Sequence, residues 1–162
     1  AFASGPIHLG RIALRDAHVR PVLTPFVVGA VIVGIFAAGG LLVRSLSFLD
    51  PLTEQIRDVL AYTDESTLWA LALITAVNGI AEELFFRGAA YAAVPKHPVT
   101  VTTIAYTIAT MATGNLMLSF AAVLLGVVVG LERRASGGIL APIITHLTWS
   151  LSMLVLLPLI FL

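Results

Sequence analysis

The stretch from Thr67 to Val94 reads TLWALALITAVNGIAEELFFRGAAYAAV. It is long and apolar enough to cross a bilayer, which takes about 20 mostly apolar residues. Yet Glu82, Glu83 and Arg87 interrupt it. Each such charge costs about 3 kcal/mol or more at the bilayer centre unless it is paired or wetted. A helix of this kind belongs in a bundle, with its ionisable face turned inward. The stretch therefore decides the membrane class and marks where chemistry could sit.

The rest of the chain agrees. Of its 162 residues, 59% are hydrophobic and 11% charged, against roughly 25% charged in a soluble domain. Mean hydropathy is +1.01. Nine Lys and Arg balance nine Asp and Glu. A disordered tail and a basic nucleic-acid binder are excluded, and a soluble domain lacks the polar residues it would need. An all-α, polytopic membrane bundle remains. With no cysteine, no disulfide, thiolate metal site or catalytic thiol can form. The first residue is Ala1 rather than Met, which reads as a piece of a longer protein. No signal peptide is visible in the first twenty residues.

Five apolar stretches and one short amphipathic helix can be read. Residues 1–21 form an N-terminal segment, and the first span follows over 22–44. Residues 45–65 are a loop. In it Asp50-Pro51 reads as N-cap and first helical residue. Leu52, Ile56, Val59 and Leu60 then form an apolar stripe suited to a membrane surface. Residues 66–162 hold four more helices. The first of these is the stretch quoted above, ended by Pro95-Lys96-His97-Pro98. The next, Val99 to about Ala112, is threonine-rich and short for a span. Thr113-Gly114-Asn115 is accordingly expected below the membrane surface, where irregular backbone must be buried or wet. The fourth span, Leu116 to Leu131, carries Gly126 and Gly130, a spacing that lets helices approach closely. Glu132-Arg133-Arg134 and Ser136-Gly137-Gly138 are expected to form the next turn. The last span starts near Ala141-Pro142.

Loop charges orient the bundle. With the N-terminus in the cytoplasm, Arg11, Arg15, Arg20, Lys96, Arg133 and Arg134 lie inside, and Arg44 and Arg57 outside. Six against two satisfies the positive-inside rule.

Arg87 lies four residues after Glu83, so these two can pair along one helix face. Glu82 has no cation in its own helix; Asn78 lies four residues before it. A single ion pair would suffice to glue helices. A second carboxylate, desolvated yet near Arg87, suits a general base. His146 falls about one turn into the last helix, with Ser150 four residues on. Catalytic zinc takes three protein ligands, more than this set offers, and no H-E-x-x-H occurs. No cofactor is expected; a divalent metal stays open, with Glu82 and His146 as the ligands in reach. Ser150 beside His146 on one helix does not make a triad.

Ala81-Glu-Glu-Leu-Phe-Phe-Arg-Gly88, followed by Ala141-Pro-Ile-Ile-Thr-His146, resembles the CPBP family. These are the type 2 CAAX prenyl proteases and bacteriocin-processing (Abi) intramembrane proteases. The resemblance runs from about Ser66 to the C-terminus and implies a four-helix catalytic core. Glu82, Glu83 and Arg87 match the family's EExxxR motif. His146 matches a histidine followed four residues later by Asn or Asp; Ser150 departs from that pattern. The middle motif, FxxxH, finds no histidine here. It falls near Ala109 to Asn115, with Thr113 or Asn115 closest to the missing imidazole.

The resemblance implies an intramembrane endopeptidase acting on a membrane-associated peptide or protein in a bacterial cell membrane. Glu82 would activate water, Glu83 and Arg87 would form the positioning pair, and His146 would stabilise the oxyanion. Asn78, Thr113, Asn115 and Ser150 would support them. Two other readings compete. One is a non-enzymatic immunity or peptide-binding protein using the same cavity. The other is a proton-coupled transporter using Glu82, which five spans without repeats make a poorer fit.

Overall fold

A computed structural model describes residues 8–14, 17–64 and 67–162. The chain is a helical bundle with a small hairpin at one end. Six helices are present among the described residues: α1 (Leu23–Ser45), α2 (Asp50–Asp64), α3 (Leu68–Ala93), α4 (Pro98–Met111), α5 (Leu116–Ser136) and α6 (Leu140–Phe161). Strands β1 (Ile12–Leu14) and β2 (Ala17–Val19) pair antiparallel.

Four helices, α1, α3, α5 and α6, are long and apolar enough to cross a membrane. Helix α4 has 14 residues, short for a span as its sequence suggested. The outer surface is apolar: Leu23, Ile35, Trp69, Ile74, Ile108, Phe120 and Leu159 are all exposed. Water would not tolerate such a surface, and lipid demands it. The chain is an integral membrane protein, with polar groups gathered inside.

Small residues set the helix contacts, as expected where lipid removes the hydrophobic drive between helices. A Cβ on Gly29 of α1 would stand 2.7 Å from Thr148 Cβ of α6. On α5, a Cβ on Gly126 would meet Thr103 Cγ2 at 3.0 Å, and one on Gly130 would meet Val99 Cγ1 at 2.9 Å. The two glycines therefore seat α4 against α5, as their spacing suggested. Leu125 and Val129 of α5 are fully buried and pack with Ile32 of α1.

The amphipathic helix α2 closes one end. Ile56 and Leu60 of its stripe are buried against Ile160 and Phe161, and Leu52 and Val59 are half-buried. Arg57 Nε donates to the Phe161 carbonyl at 3.3 Å, and Arg44 Nη1 donates to that of Ile160. Two cations thus meet the C-terminal carbonyls of α6, where the helix dipole is negative.

One expectation is corrected. Glu132 to Ser136 do not form the turn after the fourth span; they are its last helical residues. Gly137 ends the helix in a left-handed conformation (φ +68), its N–H donating to the Arg133 carbonyl at 3.1 Å. Glycine adopts that conformation without strain. The segment ahead of α1 is ordered over its described residues. It forms the hairpin and docks on the α5–α6 turn: Arg11 N–H donates to Ser136, and Ile139 and Leu140 N–H donate to His8 and Leu9. Arg15, counted among the inner charges, lies outside the described residues, as does Ser66, where the core was expected to begin.

Candidate active site

The acidic stretch sits on α3 where the helix widens. Leu84–Ala90 is π-helical, a form that is rare and concentrated at functional sites. A π turn leaves a carbonyl poorly served by its own helix. Here Arg133 Nε of α5 donates to the Arg87 carbonyl at 2.8 Å. The Arg133 guanidinium also lies 4.9 Å from the centre of the Tyr91 ring. Nothing in the local sequence announced the widening.

Glu83 and Arg87 are both fully buried and paired, Arg87 Nη1 standing 3.0 Å from Glu83 Oε1. This is the pairing their spacing predicted. The guanidinium is further held 4.8 Å from the Tyr106 ring centre and 5.9 Å from that of Phe86. Glu83 has a second partner. Its Oε1 lies 2.7 Å from His146 Nδ1 on α6. Glu83 therefore joins α3 to α6 as well as balancing Arg87.

Glu82, one residue earlier, points elsewhere. Its side chain is 27% exposed. Oε1 accepts from Asn78 Nδ2 at 2.8 Å, the pairing their shared face allowed. Oε2 lies 3.8 Å from His146 Nε2. Gly79 makes the approach possible, since a Cβ there would stand 3.3 Å from Leu147 and 3.7 Å from His146 Nε2. His146 is thus held between the two glutamates, Nδ1 toward Glu83 and Nε2 toward Glu82.

Glu82, His146 and Asn78 face a cavity of about 440 Å³ between α3, α4, α5 and α6. Thr113 and Ser150 line it too. The Thr113 hydroxyl donates to the Thr110 carbonyl at 2.8 Å. The Ser150 hydroxyl is buried without a partner. Asn115 is not brought to this cavity, which corrects its expected place. It caps α5, its side chain accepting from Leu118 N–H at 3.0 Å, and its Nδ2 donates to the Gln55 carbonyl at 2.7 Å. It lines instead an apolar groove between α1, α2, α5 and α6. An asparagine just ahead of an apolar helix is a favoured N-cap, and that role decided its orientation.

Sequence reasoning missed Tyr106. It is 7% exposed, lines the cavity, and its phenol faces Glu82. Its ring centre lies 6.4 Å from that of His146 and 5.1 Å from that of Phe86. A usable signal was present: a lone phenol in a threonine-rich apolar helix must place its hydroxyl inside the bundle.

For a metal, Glu82 and His146 Nε2 are the two donors on offer, since Nδ1 is engaged by Glu83. Among the described residues no three His, Asp or Glu side chains are arranged to hold an ion. The donor set does not fit a catalytic zinc, which takes three protein ligands. What the arrangement can do is hold water. Two polar atoms 3.8 Å apart both lie within hydrogen-bond reach, about 2.8 Å, of one water between them.

No curated protein and no solved structure matches the chain. The family model described as type II CAAX prenyl endopeptidase Rce1-like matches residues 64–152, more than half of the sequence. The match takes in α3, α4, α5 and His146 with Ser150, which carry the whole of the cavity's polar wall. The chain belongs to the Rce1-like family of type II CAAX prenyl endopeptidases.

Proposed function

We propose that this protein is an intramembrane endopeptidase that hydrolyses a peptide bond of a membrane-tethered substrate, with Glu82 as the base that activates water. One observation carries the reading: the Glu82 carboxylate is open to a cavity and turns an oxygen toward His146, while its neighbour Glu83 is buried and neutralised. Two adjacent acids with separate environments can hold separate roles.

In this mechanism a water sits between Glu82 Oε2 and His146 Nε2. Glu82 takes its proton as the oxygen attacks the carbonyl carbon. Glu83 at Nδ1 orients the imidazole and offsets positive charge that develops on the ring, the relation of Asp to His in a hydrolytic triad. Arg87 positions Glu83. Asn78 fixes the other Glu82 oxygen. No step passes through a metal or cofactor. The N-terminal hairpin, Lys96 and Arg133 occupy the cytoplasmic end.

The test is cleavage by the full chain in liposomes, offered membrane-tethered fluorogenic peptides, among them one with a farnesylated C-terminal CAAX sequence. Glu82→Gln should remove turnover while the protein melts normally. Unchanged cleavage in that variant overturns the assignment of the base.

A second reading, a binding protein that no longer cleaves, is favoured by one feature. No histidine stands on or just after α4, where the family's middle motif has one; of the nearest residues, the Thr113 hydroxyl is engaged by the Thr110 carbonyl and Asn115 caps α5. A wild-type chain that binds such peptides yet cleaves none supports it.

A further inference from the structure

We propose that Tyr106, reaching in from α4, is the hydrogen-bond donor to the oxyanion in this site. The proposal rests on the hydrolytic reading above and goes beyond the motif residues.

The first argument is placement. Tyr106 shares the cavity with Glu82 and His146, and its phenol faces the Glu82 carboxylate. The ring is held by Phe86, by His146 and by the Arg87 guanidinium. A ring so confined presents its hydroxyl at one place, which is the preorganisation that electrostatic catalysis requires.

The second argument is comparison with the neighbouring hydroxyls and the imidazole. The hydroxyls of Thr110 and Thr113 both donate to carbonyls of α4, at 3.0 and 2.8 Å. The Ser150 hydroxyl oxygen is closed off from free space, so a substrate reaches it only after rearrangement. The imidazole has its Nδ1 against Glu83. With that nitrogen donating, Nε2 carries a hydrogen only when the ring is cationic. A phenol is a donor in its ordinary form whatever the state of the ring.

The step balances as follows. A water O–H bond breaks and its proton passes to Glu82 as the water oxygen bonds to the carbonyl carbon. The carbonyl π pair moves onto its oxygen. As Glu82 becomes a carboxylic acid it is a weaker acceptor, and the Tyr106 hydroxyl turns from it to the new oxyanion. The C–N bond then breaks, the oxyanion pair re-forms the carbonyl, and the amine nitrogen takes the proton held on Glu82. Tyr106 ends with the hydrogen it began with.

The experiment measures kcat and KM for the farnesylated CAAX peptide with the full chain in liposomes. Tyr106→Phe keeps the ring and removes the oxygen. Its kcat should fall about 100- to 1000-fold, the usual effect of losing one oxyanion donor, with KM nearly unchanged. A graded series of fluorinated tyrosines at position 106 should change kcat with phenol acidity, which a packing role would not do. It decides alone if Tyr106→Phe fails to fold. A Tyr106→Phe kcat within about threefold of wild type, or a flat fluorotyrosine series, overturns the assignment while Glu82→Gln remains inactive. A wild-type chain that cleaves nothing overturns the hydrolytic reading, and the donor role with it.

Discussion

Arg87 is fully buried, and it can be so because Glu83, the Gly126 carbonyl and two aromatic rings surround it. Removing it leaves a buried carboxylate whose remaining partner is an imidazole. Breaking a buried ion pair costs about 3–5 kcal/mol. Glu82, partly exposed to a cavity, loses hydrogen bonds to two uncharged partners, Asn78 and Tyr106, when it is truncated, about 1 kcal/mol each, and leaves both partners facing the cavity. Arg87→Ala should therefore unfold well before Glu82→Ala in detergent, although both lose activity. Equal melting temperatures would show that the Glu83–Arg87 pair does not support the fold. The pair was legible because both members lie on one helix, four residues apart. The bond from Glu83 to His146 was not, since nothing in the sequence says which face of α6 meets α3. Asn115 erred in the same way: its chemistry suited water, but its position ahead of Leu116 suited a cap.

At the level of helices, apolar length and punctuation located the helices, but ended α5 at Leu131 where it runs on to Ser136. What stayed hidden depends on a neighbour. The π turn over Leu84–Ala90 has its freed carbonyl taken by Arg133 of another helix. The helical run through Glu132–Ser136 has an inward partner for Glu132. That partner is Thr145, whose hydroxyl lies 2.8 Å from Glu132 Oε1 and 3.0 Å from the Pro25 carbonyl. One hydroxyl thus ties α1, α5 and α6 together beside His146. Thr145→Val preserves shape and strands Glu132, whose other oxygen is already without a partner. Stability should drop by about 1–3 kcal/mol. Thr110→Val, which removes a bond within a single helix, should cost about 0.5 kcal/mol or less. Unfolding of both variants in mixed micelles checks the contrast.

Across the whole molecule, the two ends differ in charge. Arg11, Arg20, Lys96, Arg133 and Arg134 gather at the hairpin end, and Arg44 and Arg57 at the α2 end. Composition alone foretold an apolar exterior. The contents of the cavity needed the packing of four helices. The chain has no cysteine, so single introduced thiols report orientation without background. Lys96→Cys should react with an impermeant maleimide only from the cytoplasmic side. Phe48→Cys, in the exposed turn before α2, should react only from the other. Labelling from the opposite sides would invert the proposed topology.

The docking of His8–Arg11 has a mechanical corollary. Gly10 and Gly138 touch backbone to backbone, and a single methyl on Gly138 would strike Gly10 N at 2.0 Å. The strap is hydrogen-bonded to Leu140, the first residue of α6, about 9 Å along the axis from His146. A side chain at either glycine would therefore part the His8 and Leu9 carbonyls from the Ile139 and Leu140 N–H groups, and loosen the start of the helix that bears His146.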